Sequence, residues 1–364
     1  MNKKKIEIID GAAAIARGAL DAGCDFFAGY PITPASGILG HMLRELPKVG
    51  GVGFQGEDEI SSIGHCIGAA TAGAKAFTAS SGPGLSLYSE NLGLAIMMEI
   101  PLVICISQRL GPSTGAATAS AQGDIQFMRW CTSGGYPIIV LSPTNIPECY
   151  HITKRAFLLA QRFRCPVFIA TDKETVMTTE SVSAEEMVKS PDWPDVPEAP
   201  IHSSLEPYQK NGRIYHYTGS SHTTEGHITK DPGILAELND KLRTKIEHNL
   251  NELSLVKADT QKDAKTLILS YGVSSRSMEA AVKEIRRKGM KISSLIIYSL
   301  WPVPESAIKK SLKGIDKVVI PEMNHGQYRH EIERLVESNV ELISVNRVDS
   351  FLISPEQILE AING

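Results

Sequence analysis

The first half of the chain alternates short apolar runs rich in Val and Ile with longer segments in which small and apolar residues recur at helical spacing. Because the short runs carry no polar face, they predict strands buried on both sides of a sheet. Strands are predicted at 76–79, 102–106, 138–141 and 167–170, and helices at 60–73, 85–98 and 146–162. This alternation predicts a parallel α/β sheet.

The pattern changes between residues 180 and 262. Four prolines crowd the segment 191–200, and 219–227 is polar and rich in turn-forming residues. A charged helix is predicted at about 231–253. A second α/β unit follows, with strands predicted at 266–272, 293–298, 317–321 and 341–345 and a helix at 275–288.

We therefore expect an α/β protein whose two domains have parallel or mixed sheets and are joined by an irregular linker. The first domain is predicted at 1–180, the linker with its charged helix at 181–262, and the second domain at 263–364. At 364 residues the chain is long enough for two such domains, each with its own hydrophobic core.

Composition excludes several classes of function. The formal net charge is −4, and the basic residues are scattered instead of forming a stripe, so no nucleic-acid partner is expected. No apolar run is long enough to span a bilayer, and the basic start is followed by an acidic residue instead of a signal-peptide core. We expect no membrane association and a cytoplasmic location.

The six cysteines give no sign of a metal or iron–sulfur site in this chain. They are never closer than sixteen residues and form no C-x-x-C pair, whereas clusters and structural zinc draw ligands from tight loops. Most lie in apolar surroundings, where a small buried side chain is the expected role.

Three loops hold the candidate chemistry: Tyr-Pro-Ile-Thr-Pro-Ala-Ser at 30–36, the acidic trio at 57–59, and Gln-Arg-Leu-Gly-Pro-Ser-Thr-Gly at 108–115. Two prolines restrict the backbone around Thr33, so the loop presents its hydroxyl rigidly. An alternative is that Thr33 or Ser36 caps the helix that follows.

These loops, in this order, resemble the alpha subunit of the 2-oxoacid:ferredoxin oxidoreductases, of the 2-oxoglutarate type. The resemblance extends over nearly the whole chain and includes the segments 11–19, 78–84 and 321–327. It implies a thiamine pyrimidine-binding domain first and a transketolase C-terminal-like domain last. It also implies oxidative decarboxylation of a 2-oxo acid with coenzyme A as co-substrate and ferredoxin as electron acceptor.

The resemblance places the catalytic carboxyl group at Glu59, hydrogen-bonded to the pyrimidine of thiamine diphosphate. Burial suits this role because desolvation keeps a proton available to the ring nitrogen. We expect Glu57 and Asp58 to be more exposed. The alternative is that all three acids merely complement a helix N-terminus.

The resemblance assigns substrate binding and catalysis to Arg109 and Thr33 as well. A guanidinium can grip the C1 carboxylate of a 2-oxo acid bidentately. The expected cofactor-binding residues are Tyr30, Pro31, Ile32, Thr33 and Glu59. An arginine just past a strand is otherwise most often a surface ion-pair partner.

The chain lacks the Gly-Asp-Gly that holds Mg²⁺ and the diphosphate in thiamine enzymes. We therefore expect no metal ligand here and a partner beta subunit that carries the diphosphate, the Mg²⁺ and a [4Fe–4S] cluster. The active site should lie between subunits, in an (αβ)₂ heterotetramer or a complex with extra small subunits.

Other substrates and functions stay open at this point. Many 2-oxoglutarate enzymes of the family carry a basic residue and an acid where this chain has Ala119 and Ala121. A branched-chain 2-oxo acid or pyruvate is therefore an alternative substrate. Two further alternatives are a non-catalytic scaffold subunit and a nucleotide-binding enzyme that uses the turn at 81–84.

Overall fold

The computed structural model describes residues 6–201 and 216–363, and the strands predicted from the apolar runs all belong to its two larger sheets. The strands are β1 (Ile6–Asp10), β2 (Phe26–Gly29), β3 (Val52–Gln55), β4 (Ala76–Ser80), β5 (Leu102–Gln108), β6 (Ile139–Leu141), β7 (Pro166–Asp172), β8 (Thr179–Ser183), β9 (Val256–Asp259), β10 (Thr266–Ser270), β11 (Ser293–Ile297), β12 (Ser299–Trp301), β13 (Lys317–Glu322) and β14 (Glu341–Asn346).

Helices fill the connections between the strands. They are α1 (Gly11–Asp21), α2 (Ser36–Glu45), α3 (Glu59–Thr71), α4 (Gly82–Met97), α5 (Ile125–Arg129), α6 (Ile146–Phe163), α7 (Lys173–Met177), α8 (Ala184–Val188), α9 (Pro232–Glu247), α10 (Leu250–Leu253), α11 (Ser274–Arg287), α12 (Glu305–Ser311), α13 (Arg329–Glu333) and α14 (Pro355–Asn363), with a 3₁₀ turn at Leu46–Val49. None of the helices in the described ranges has both the length and the apolar surface that crossing a bilayer requires.

The larger sheet has seven strands in the order β12-β6-β7-β5-β4-β2-β3, and all are parallel except β12. Strands β5 and β7 are buried along their whole length, as their apolar sequences predict. The smaller sheet has the order β14-β13-β10-β11-β9, with β9 alone antiparallel.

Two strand pairings were not predicted from the sequence. Strand β12, from the C-terminal half, pairs with β6 and so extends the first sheet. Strand β9, which lies within the range predicted as linker, pairs with β11 of the second sheet. The charged helix predicted at 231–253 is α9 followed by α10, and Asp231 accepts hydrogen bonds from the backbone of its first turn. Residues 202–215 of the predicted linker lie outside the described residues.

Candidate active site

The predicted site residues lie at one edge of the larger sheet. Strands β3, β2, β4 and β5 are parallel neighbours, so their carboxyl ends meet at this edge. The loop with Thr33 follows β2, Glu59 follows β3 and Arg109 follows β5. Open parallel sheets bind ligands outside the carboxyl ends of their strands.

The three acids before α3 have separate roles. Asp58 is the N-cap and accepts a hydrogen bond from Ser61 N at 2.7 Å. Glu57 is exposed and Asp58 partly exposed, whereas Glu59 is only 7% exposed, as expected from the sequence. Among the described residues, no protein group donates a hydrogen bond to the Glu59 carboxylate. Helix capping therefore explains Asp58 but not Glu59, which is the acidic residue in the first turn of α3.

The start of α4 packs directly against Glu59. A Cβ atom at Gly84 would lie 2.8 Å from Glu59 Cγ and would overlap Ser80 Oγ. Ser81 Oγ, in the preceding turn, is buried and has no hydrogen-bond partner in the described part of the chain. The glycine thus gives the Glu59 side chain the room that its buried position needs.

Replacing Gly84 with Ala is expected to displace Glu59 and Ser80, since the new methyl group has no free volume. We expect a loss of about 1–3 kcal/mol in the free energy of unfolding and reduced turnover of the assembled enzyme. Gly40→Ala is the control because a Cβ there meets nothing within 4 Å. Urea unfolding of the two variants checks this, and equal stabilities would show that the site accepts a methyl group.

Arg109 is buried and fixed by two backbone carbonyl groups. Its Nη1 donates to Thr33 O at 2.7 Å and its Nη2 to Thr114 O at 3.1 Å. Arg109 Nε is buried and has no partner in the described residues. This geometry contradicts the alternative of a surface ion pair and places Thr33 beside the guanidinium.

The Thr33 loop does not cap the following helix. The N-cap of α2 is Ala35, with no side-chain hydrogen bond, so the alternative capping role for Thr33 or Ser36 is wrong. Tyr30, Ile32 and Thr33 are partly exposed and Pro31 is exposed at this edge of the sheet. Their roles in cofactor binding stay predictions.

Asp124 joins the site, although no individual role was assigned to it from the sequence, where it is the residue before a short helix. A Cβ at Gly82 would lie 2.8 Å from Asp124 Oδ1, so the carboxyl group packs on the first turn of α4. Burial raises the pKa of Asp124 to about 6, and the nearby Arg109 charge opposes that rise. The signal for Asp124 comes only from packing between distant segments.

Arg109 and Asp124 both line a cavity of about 550 Å³. Its walls come from the turn of α4, the loops after β5 and β13, and α5; they include Gly82, Pro83, Leu110, Pro112, Ala121, Phe127, Met323, Asn324 and His325. Glu59 and Thr33 are not among the lining residues. Glu59 instead packs against Gly84, whereas Asp124 packs against Gly82 of the same turn.

The second domain closes this cavity through a hydrogen-bonded contact centred on Gln122. The Gln122 Oε1 atom accepts from Ser274 Oγ at 2.9 Å and from Met323 N at 3.2 Å. Asn324 Nδ2 donates to Gln122 O at 2.8 Å and to the Tyr271 hydroxyl group at 2.9 Å. Because these groups are buried and paired, the segment after β13 is held firmly against the first domain.

The sequence profile of the family described as "Pyruvate flavodoxin/ferredoxin oxidoreductase, thiamine diP-bdg" matches residues 17–239, and that of "Pyruvate:ferredoxin oxidoreductase core domain II" matches residues 264–358. The 2-oxoglutarate synthase subunit KorA of Methanocaldococcus jannaschii is 39% identical over 371 residues, which cover 99% of this chain and 100% of the relative. The chain belongs to this oxidoreductase family. The resemblance inferred from the sequence motifs is confirmed.

Two further members of the oxidoreductase family are informative. The ketoisovalerate oxidoreductase subunit VorB of Methanothermobacter thermautotrophicus is 33% identical, with 98% of this chain and 97% of the relative covered. The solved 2-oxoglutarate:ferredoxin oxidoreductase from Magnetococcus marinus, with 2-oxoglutarate, coenzyme A and succinyl-CoA bound, superposes with a TM-score of 0.90 at 28% identity. The superposition covers 100% of this chain and 66% of the Magnetococcus marinus chain. This similarity confirms the α/β fold class.

The described residues fit the pyrimidine half of the family's cofactor. Glu59 offers a buried carboxyl group with no protein donor, beside a wall at Gly84 that has no side chain. Within residues 6–201 and 216–363, no group of three or more His, Cys, Asp and Glu side chains is arranged to hold a metal ion.

Proposed function

We propose that this chain is the alpha subunit of a thiamine diphosphate-dependent 2-oxoglutarate:ferredoxin oxidoreductase. The reaction converts 2-oxoglutarate, coenzyme A and oxidised ferredoxin to succinyl-CoA, CO₂ and reduced ferredoxin. The observation that carries the proposal is a pair of groups near the turn at 82–84: the unpartnered carboxylate of Glu59, which packs against Gly84, and the fixed guanidinium of Arg109, which lines a cavity with Gly82 and Pro83.

Each of these groups has a distinct task. When bound, thiamine diphosphate supplies the nucleophilic carbon and the electron sink that decarboxylation of a 2-oxo acid requires. The Glu59 carboxyl group would hydrogen-bond to the pyrimidine N1′ and hold a proton there. The Arg109 guanidinium would orient the C1 carboxylate, because a guanidinium can grip a carboxylate bidentately and its Nε has no partner in the described residues. Thr33 helps by holding Nη1 in place through its carbonyl oxygen.

The substrate assignment is supported by the KorA relatives, which are named as subunits of 2-oxoglutarate synthases. A second candidate is a branched-chain 2-oxo acid. It is favoured by the VorB relatives and by Ala121, a small apolar wall residue of the cavity. A panel of 2-oxo acids with a low-potential dye, run on the complex purified with its partners, separates the two. A preference of at least about tenfold for 2-oxoglutarate is expected, because a site built for a second carboxylate rejects an apolar analogue strongly.

We infer that a beta subunit completes the site. It would bind the diphosphate and the Mg²⁺ and carry a [4Fe–4S] cluster, and ferredoxin would bind to the assembled complex. The lack of Gly-Asp-Gly in the sequence supports this division. The isolated chain is therefore expected to bind thiamine diphosphate at least about 100-fold more weakly than the assembled complex, since a missing set of charged contacts costs several kcal/mol. Calorimetric titration with Mg²⁺ present checks this. Equal affinities would mean that this chain holds the whole cofactor by itself.

A further inference from the structure

Asp124 occupies a helix N-cap position without acting as a cap. It precedes α5, but its side chain makes no capping hydrogen bond. Its backbone N–H donates to Gln108 Oε1 at 3.0 Å, which fixes the main chain at the end of β5. An Asp at this position usually accepts a hydrogen bond from the second or third residue of the helix. Asp124 instead turns its carboxyl group toward Gly82 and the cavity.

The Asp124 carboxyl group, in a residue that lines the cavity, has an unused hydrogen-bonding atom. Its Oδ2 is buried and has no partner in the described part of the chain. Arg109 lines the same cavity, and its Nε atom is also buried and has no partner in the described part of the chain. No ion pair within 4 Å joins the two side chains among the described residues. Each therefore keeps hydrogen-bonding capacity for a third group between them.

We propose that Asp124 binds the 2-oxo acid in its protonated form, donating a hydrogen bond to an oxygen of the acid that Arg109 grips. This inference rests on the proposed function. A 2-oxo acid is an anion whose oxygen atoms all accept hydrogen bonds. An ionised Asp124 would repel it, whereas a protonated carboxyl group offers the missing donor.

The protonated form is accessible near neutral pH because the pKa of Asp124 is about 6 in the free protein. If the bound state requires the proton, the affinity is constant below about pH 6. Above about pH 6 the affinity falls by up to about tenfold per pH unit, until the pH reaches the pKa of Asp124 in the complex. His325, exposed at the cavity mouth, is the other titratable side chain among the lining residues.

The test uses the assembled, cofactor-loaded complex and N-oxalylglycine, a dicarboxylate analogue that cannot be decarboxylated. Calorimetry at pH 7.5 in buffers with different ionisation heats counts the protons taken up. We expect about half to one proton per analogue bound by the wild type and at least about half a proton fewer in Asp124→Asn. At pH 8 the variant should bind the analogue about tenfold tighter than the wild type, since its amide donates without needing a proton.

Two variants serve as controls. Asp231→Asn alters a distant helix cap and should keep the wild-type profile, because asparagine caps equally well. His325→Gln should keep most of the proton uptake. If His325→Gln abolishes the uptake, or if Asp124→Asn keeps it, the proposal is wrong.

A purely structural role for Asp124 would weaken binding at every pH. If Asp124→Asn does not fold, the proton uptake measured for the wild type and for His325→Gln still tests the proposal. The proposal is overturned if either of these two proteins takes up no protons when the analogue binds. If the assembled wild type neither binds the analogue nor turns over any 2-oxo acid at any pH, the proposed function fails instead.

Discussion

Replacing Glu59 with Gln in the assembled complex is expected to lower turnover by about two to four orders of magnitude, the usual contribution of a positioned acid or base. Glutamine keeps the size of the side chain and its contact with Gly84, but it cannot hold or return a proton. Fold stability should stay equal or rise, because the Glu59 carboxylate is buried and no described protein group donates to it. Activity should therefore fall without any loss of stability.

The matched control for this prediction is Glu57→Gln. Glu57 precedes the same helix but is exposed, so turnover should stay within about twofold of the wild type, as for most surface substitutions. Steady-state rates with a low-potential dye, together with thermal unfolding of the same preparations, give both readouts. Turnover of Glu59→Gln near the wild-type value would remove Glu59 from the mechanism. A large loss of stability would instead point to a structural role.

The sequence predicted those parts of the fold whose signal is local. Strands β5 and β7 were predicted because a fully apolar run of this length is typical of a strand covered on both faces. Strand β12 was not, since three residues carry no periodicity and its partner β6 is far away in the chain. Only the folded chain shows that the second half adds a strand to the first sheet.

The candidate site also has one part that was predicted from the sequence and one part that was not. Motif order and family resemblance pointed to Glu59 and Arg109, and the structure explains their neighbours: Asp58 caps α3, and Thr33 holds Arg109. Asp124 carries no local signal, because an acid before a short helix has an ordinary explanation as a cap. Its failure to cap, its contact with Gly82 and its unpartnered oxygen all depend on long-range packing.

Replacing Arg109 with Lys is expected to lower kcat/KM for the 2-oxo acid by about 30-fold to several thousand-fold, the 2–5 kcal/mol typical of a disrupted buried charge contact. Lysine keeps the positive charge but loses the planar fork. It cannot donate to Thr33 O and Thr114 O while also gripping a carboxylate, because three N–H groups on one nitrogen cannot reproduce the separate Nη1 and Nη2 contacts. We expect most of the loss in KM.

Thiamine diphosphate affinity separates this substrate role from general damage to the site. Arg109 lines the cavity and Glu59 does not, so Arg109→Lys should leave cofactor affinity within about threefold of the wild type, a change below 1 kcal/mol. The control is Arg243→Lys on the exposed face of α9, where ion pairs contribute little. Loss of cofactor and substrate binding together would mean that Arg109 mainly supports the loops. An unchanged kcat/KM would mean that another cation holds the substrate carboxylate.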